Sequence, residues 1–288
     1  MSAIYKRELR AYYHSMIGWV FTAAMLILVG IYFMAFNMYQ GYVYFSYALS
    51  SASNMLMLLV PVLTMRSMSE ERASRTDQLL LTAPVSVGSI VLGKFLATLT
   101  VFAVPMILLC ICPLIIRSNG SAALLADYCT MLAFLLLGGV LIALGMLISS
   151  LTESQLIAAV ATFAALLVVF LWDGLVSFLP DSASGSLMSM TVLLGLVCLG
   201  LQALSNNWKI SCGIAAAGGA ALAGVWFYDS TLFENLLPNT LAKFSLLPHF
   251  QAFASDHVFD LSGVILYISL TALLLFLSVQ VIQKRRWS

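Results

Sequence analysis

Charge is what this chain lacks. Only 9% of its 288 residues are Asp, Glu, Lys or Arg, while 62% are hydrophobic. A water-soluble domain carries about 25% charged residues, so these side chains cannot cover a surface that faces water. With a mean hydropathy of +1.02, the chain reads as integral to a membrane. No basic patch with interleaved aromatics is present, which excludes a nucleic-acid partner. Cysteine is scarce. Cys110, Cys112, Cys129, Cys198 and Cys212 all lie in apolar runs and read as small core hydrophobes, not as disulfides or metal ligands. No Ser/His/Asp, Cys/His or paired-carboxylate arrangement supports hydrolysis, so the chain is not expected to be an enzyme. The basic start runs into an apolar stretch without a small-residue cleavage site, so it is expected to be a retained span and not a removed signal.

What is present is a series of apolar runs. A helix needs about 20 mostly apolar residues to cross about 30 Å of hydrocarbon. Eight stretches satisfy this: 16–36, 48–65, 86–116, 127–151, 155–179, 187–204, 210–228 and 261–282. The expected fold is therefore an all-α integral membrane protein of about eight spans in one domain, 1–288. The third span is long enough to tilt, or to bend at Pro105 and Pro113. Residues 1–15 place Tyr5, Leu9, Tyr12 and Tyr13 on one side and Lys6, Arg7 and Arg10 largely on the other. That pattern fits an interfacial helix; the plainer alternative is a solvated leader. Tyr39, Tyr42, Tyr44 and Tyr47 mark an interface. Residues 229–260 hold Pro238 and Pro248, are too polar to span, and read as surface-lying or re-entrant.

Charge asymmetry sets the orientation. With a cytoplasmic N-terminus, the inner side receives Lys6, Arg7, Arg10, Arg66, Arg72, Arg75, Lys94, Lys209 and the Lys284–Arg286 tail, and both termini are cytoplasmic. The outer side receives only Arg117 and Lys243, together with Asp181, Asp229, Glu234, Asp256 and Asp260. Small residues four apart let another helix backbone come close. They form stripes at Ala216, Ala220, Gly224 and at Gly213, Ala217, Ala221, and recur at Gly138, Gly139, Ala143 and Gly145. Each stripe is either a moving contact or static packing.

The long polar interruption runs from Arg66 to Lys94. Ser67 followed by Glu70 reads as a capping box, with Ser69 as the alternative cap. Glu70 and Glu71 favour the positive end of the helix dipole. The helix is expected over 67–83, because Pro84 disfavours helix at the residue before it. Gly88 to Lys94 nearly matches a phosphate-binding loop, but Phe95 stands where Ser or Thr must hold magnesium, and the run is apolar. Lys94 is instead expected to snorkel to the inner headgroups.

Three segments here resemble a known family. They are Glu70-Glu71-Arg72 with Thr76, the run from Leu79 to Ser86, and Val91-Leu92-Gly93-Lys94-Phe95-Leu96. Together they resemble the signature of ABC-2 type transporter permeases, near the gliding-motility-type branch. Ile4 to Tyr12 resembles the family's interfacial elbow helix. The specific motifs cover 3–14 and 66–97; Arg75 stands where Gly is usual and Gln78 where Glu is usual. The resemblance implies a permease subunit of an ATP-binding-cassette exporter in the bacterial cytoplasmic membrane. It implies a second permease, identical or not, and a cytosolic ATPase subunit that holds ATP and magnesium, with no cofactor in this chain. Carried onto this sequence, 67–83 is the coupling helix, and Glu70, Glu71, Arg72, Thr76, Leu79 and Leu80 fall at the ATPase interface. The path would be lined by the first, second and fifth spans. The family usually has about six spans, so 187–228 reads as an inserted helical pair.

Two rivals stand beside that reading. A stand-alone secondary transporter would use an intramembrane carboxylate. Asp173 is the candidate, as a pathway or outer-gate residue; its alternative is an acid at the outer end of its helix. A membrane-embedded enzyme or outer metal site would need His249, Asp256, His257 and Asp260 to gather. Contact with an extracytoplasmic accessory protein is the simpler use of that segment.

Overall fold

The computed structural model describes residues 2–74, 76, 86–120, 122–178, 182, 185, 186, 188, 191 and 236–287. The described residues form helices and connecting turns, with no strand. Helix satisfies every backbone group within its own segment, which a lipid environment demands.

The first body holds residues 1–170 and 246–288. Helix α1, Ser2–His14, turns at Met16, whose φ is 60°, into α2, Ile17–Phe33. The first span then continues as a π-helix, Met34–Tyr39. The second span is not the single helix expected over 48–65. It is α3, Ser46–Ser53, and α4, Leu56–Thr64, and α3 meets the stretch Leu56–Ala73 at a bend of 63°. At the end of α3, Ser53 donates to the Ser50 carbonyl at 2.6 Å.

After the short α5, Ser69–Ala73, the third span comprises α6, Val87–Leu109, and α7, Ile111–Asn119. Pro105 is accommodated inside α6. The break falls at Cys110 because Pro113 has no N–H for the Leu109 carbonyl, and its ring crowds that position. Next come α8, Leu124–Leu151, and α9, Gln155–Phe170. Then α12, Leu247–Ala254, precedes α13, Leu261–Trp287. Among the described residues, four helices are long and apolar enough to cross a membrane, or five with the bent pair counted as one. Apart from residues 188 and 191, the sixth and seventh expected spans, with the stripes at 213–224, Cys198 and Cys212, lie outside the described residues.

Helix α8 is the axis of this body. It packs on α3, α4, α6, α9, α12 and α13. It buries Phe134, Leu137, Leu141, Ile142 and Met146 almost completely. A helix that is apolar all round belongs in the middle. Two of its glycines permit close approach. A Cβ at Gly138 would run into the Phe102 ring, and one at Gly145 would overlap Thr64.

The stretch around α12 packs inward. Phe250, Phe253 and Ala254 are buried. Ser46 Oγ donates to the Ala254 carbonyl at 2.7 Å and Thr130 Oγ1 to the Phe253 carbonyl at 2.9 Å. At the start of α12, Tyr267 Oη donates to the Leu246 carbonyl at 2.8 Å. The Phe253 and Ala254 carbonyls, left free at the helix end, are satisfied by Thr130 and Ser46. Cys110, Cys112 and Cys129 are half-buried free thiols.

The second body holds residues 171–245. Its described helices are α10, Trp172–Ser177, and α11, Leu236–Ala242. Trp172 Nε1 donates to the Leu241 carbonyl at 2.9 Å.

Candidate functional site

The charged stretch after α4 is tied into the first body at three places. Its start is capped from another helix. Ser149 Oγ of α8 accepts from the backbone N–H of Met68 at 3.2 Å and of Ser69 at 3.1 Å, and donates to the Met65 carbonyl at 3.2 Å. The expected Ser67–Glu70 capping box does not form. Ser67 Oγ is buried without a partner, Ser69 Oγ turns back to the Met65 carbonyl, and Glu70 pairs with Arg66 Nε at 2.7 Å. The box would have served the Ser67 and Glu70 amides; the Ser67 N–H instead goes to the Thr64 carbonyl at 3.0 Å, and Ser149 of α8 caps the two amides that follow it. The helix is also shorter than expected. It ends at Ala73 with Ser74 as its C-cap. The rest of 67–83, including Leu79 and Leu80 but not Thr76, lies outside the described residues.

The second anchor corrects the expectation for Lys94. Its side chain does not reach the headgroups; it is 2% exposed. Its ammonium lies 2.7 Å from the Ser67 carbonyl, 3.0 Å from Glu71 Oε2 and 3.4 Å from Glu8 Oε1. An ammonium has three donors, and all three are directed to oxygen. Arg7 completes the cluster, at 2.6 Å from Glu71 Oε1 and 2.7 Å from Glu8 Oε1. Two cations and two carboxylates thus bind α1, α5 and α6 with no net charge. Lys94 turns inward because burying it beside two acids supplies the partners that a buried charge requires.

The third anchor is Arg72. It is 2.7 Å from Glu153 and 3.3 Å from the Ser150 carbonyl, joining α5 to the turn between α8 and α9. Tyr12 supports the arrangement from α1. Its hydroxyl donates to the Leu63 carbonyl at 3.1 Å and lies 3.3 Å from Thr98 Oγ1. Burial pushes the Tyr12 phenol up to about 12, so it stays a neutral donor.

The residues expected at a partner interface therefore divide. Glu71 and Arg72 are held within the chain. Glu70 is about half exposed at its side chain, and Thr76 is exposed. Sequence reasoning missed Glu8, Ser149 and Glu153. Glu8 stood inside the N-terminal motif, and an acid on a helix approaching a membrane-flanking lysine was the available signal. A serine within an apolar run and an acid in a short turn carried no comparable signal.

Comparison with known families decides the identity of this arrangement. The family described as "ABC-2 family transporter protein" matches residues 2–193, a range holding α1, the charged stretch and Lys94. This chain belongs to the ABC-2 transporter family. A comparison with curated proteins returns no match. As an ABC-2 protein the chain is a multi-pass membrane component of an ATP-binding-cassette transporter, with α5 at one end of its long helices.

The opposite end of the first body holds Asp127, His249, Asp256, His257 and Asp260. Asp127 is fully buried at the start of α8, where Oδ1 accepts from the Ser46 amide at 3.2 Å and so caps α3 from outside. His249 Nδ1 lies 2.8 Å from Asp260. His257 stacks on Tyr44 with ring centroids 3.8 Å apart, and Asp256 is exposed. Among the described residues no three His, Cys, Asp or Glu side chains converge as metal ligands. Asp173, in the second body, is exposed on α10.

Asp260 supplies a pH prediction. Hydrogen bonds from the Ser262 hydroxyl and then from His249 lower its carboxyl to about 2. An ordinary Asp titrates near 3.9. A depressed folded value contributes stability that is whole above about pH 4 and lost as pH falls toward about 2. Asp260→Asn should therefore unfold at a lower temperature than wild type at pH 7. The two thermal curves should converge as the buffer is taken from about pH 4 toward about 2.

Proposed function

We propose that this chain is the permease subunit of an exporter, driven by a separate cytosolic ATP-binding-cassette ATPase and working with a second permease, identical or not. It sits in the bacterial cytoplasmic membrane with both termini in the cytoplasm, as the distribution of Lys and Arg favours. ATP and magnesium belong to the ATPase subunit; this chain brings no cofactor of its own. The ATPase docks on the segment 67–83, through Glu70, Thr76, Leu79 and Leu80. Glu71 and Arg72 pass the movement on.

The observation that carries this reading is the neutral cluster of Arg7, Glu8, Glu71 and Lys94. A helix only propped against its neighbours would slide when pushed. One gripped by buried ion pairs moves α1 and α6 with it, while Arg72 carries the α8–α9 turn. The bend in the second span gives the movement a place to act. Asn54, exposed at the bend, lies about midway between Ser46 and Thr64, so its amide faces the transport path and not lipid. The rival secondary transporter is tied to Asp173, which is exposed; the buried carboxylate, Asp127, is held as a cap on α3.

The test is co-purification in mild detergent with an ATPase assay. Thr76→Arg combined with Leu80→Asp should release the ATPase while leaving membrane insertion intact. Lys94→Met, which lies behind the docking face, should keep the ATPase bound but lower substrate-stimulated hydrolysis. Undiminished ATPase capture by the first variant would remove this segment from the interface. A wild-type chain that purifies with no ATPase at all would sink the whole reading.

A further inference from the structure

We propose that the lateral groove between α6, α8 and α13 is a binding site for one anionic phospholipid, with acyl chain in the groove and headgroup at the basic end of α13. The groove has a volume of about 490 Å³ and is lined by residues that include Gly88, Leu92, Leu99, Gly139, Ala272 and Val279. Two of these are glycines. A Cβ at Gly88 would meet nothing within 4 Å, and one at Gly139 nothing closer than 3.8 Å. The groove is therefore open where side chains are missing.

Its dimensions select the occupant. From Gly88 to Leu99 along α6, or Ile268 to Val279 along α13, a helical rise of 1.5 Å per residue gives a length of about 16 Å. One leaflet of hydrocarbon is about 15 Å deep, half of the full core. A groove of that length matches an acyl chain of one leaflet.

The wall chemistry agrees. The lining is apolar except for Thr271, whose hydroxyl already donates to the Tyr267 carbonyl of its own helix at 2.7 Å. Among the lining side chains no free donor or acceptor is offered to a polar substrate. Charge selects the headgroup. Helix α13 runs past Val279 to Lys284, Arg285 and Arg286 and contains no acid. Lys and Arg clusters just beyond a span attract anionic lipid headgroups. The lipid lies in the leaflet at the α5 end, which the orientation proposed above makes the inner leaflet; binding itself does not depend on that orientation.

Native mass spectrometry of the delipidated full chain, titrated with phosphatidylglycerol or phosphatidylcholine, tests the site. Wild type should retain one phosphatidylglycerol about tenfold more tightly than phosphatidylcholine. Ala272→Phe, at an exposed position, should lose the bound lipid by filling the groove while keeping the wild-type unfolding temperature. The triple change Lys284→Gln, Arg285→Gln and Arg286→Gln should bind the two lipids equally. Equal binding by wild type, or full retention by Ala272→Phe, would overturn the proposal. So would an efficient disulfide between two copies carrying Ala272→Cys, because a protein would then occupy the groove. Lipid binding is read without the ATPase, so its failure and the failure of the exporter reading are separable.

Discussion

Lys94→Met should lower the unfolding free energy of the purified chain by about 3–5 kcal/mol, the usual effect of leaving buried charges without their partner. The ammonium is held by the Ser67 carbonyl, Glu71 and Glu8. Its removal leaves two mostly buried carboxylates sharing Arg7, itself about half exposed. The loss should be read as a drop in thermal unfolding temperature in detergent, together with faster amide exchange in α1 and α5. Adding Glu71→Gln should restore part of the loss, because one uncompensated charge goes with it. Contacting residues in one network couple by about 0.5–3 kcal/mol in a double-mutant cycle. Strict additivity of the two changes would mean that the cluster is not a unit, and the transmission argument would lose its basis.

Gly145→Ala should destabilise by about 1–3 kcal/mol, the range for overpacking a filled interior. The new methyl would overlap Thr64 Oγ1 and lie 2.8 Å from Thr64 Cβ, an atom next to the backbone that has nowhere to move. Thr64 is itself fully buried. In a Thr64→Ala background the penalty should shrink without vanishing, since Oγ1 and Cγ2 are gone and the Cβ remains. Gly139→Ala is the internal control. Its nearest neighbour is Leu99 at 3.8 Å, so it should be neutral or gain up to about 1 kcal/mol of helix propensity. Equal effects at the two glycines would show that the α4–α8 approach is looser than its geometry implies.

These two residues show where sequence reading stops. Lys94 was legible as a charge flanking a span, and the glycines as a small-residue stripe. Partner and direction were not. A lysine at a span end reaches headgroups or turns inward depending on what the fold places beside it. Glu8 lies far back in the chain, and only the packing of α1 on α6 brings it near. The capping box failed for the same reason. Ser67 and Glu70 had the right spacing, but Glu70 pairs with Arg66 and Ser149, from a distant span, caps the start of α5 at the Met68 and Ser69 amides.

The sequence by itself determined the class, the position of the charged stretch and the family. Hydrocarbon demands long apolar runs whatever their neighbours, and a motif is a local string that keeps its meaning without three-dimensional context. Only the tertiary structure decided that the second span is broken at Asn54, that α12 packs inward, and that Glu71 pairs with Arg7 and Lys94 and Arg72 with Glu153. It also decided that a lateral groove lies open beside Gly139. Each of these depends on hydrogen bonds, ion pairs or vacant volume shared between segments remote in the chain. Local periodicity carries no record of them.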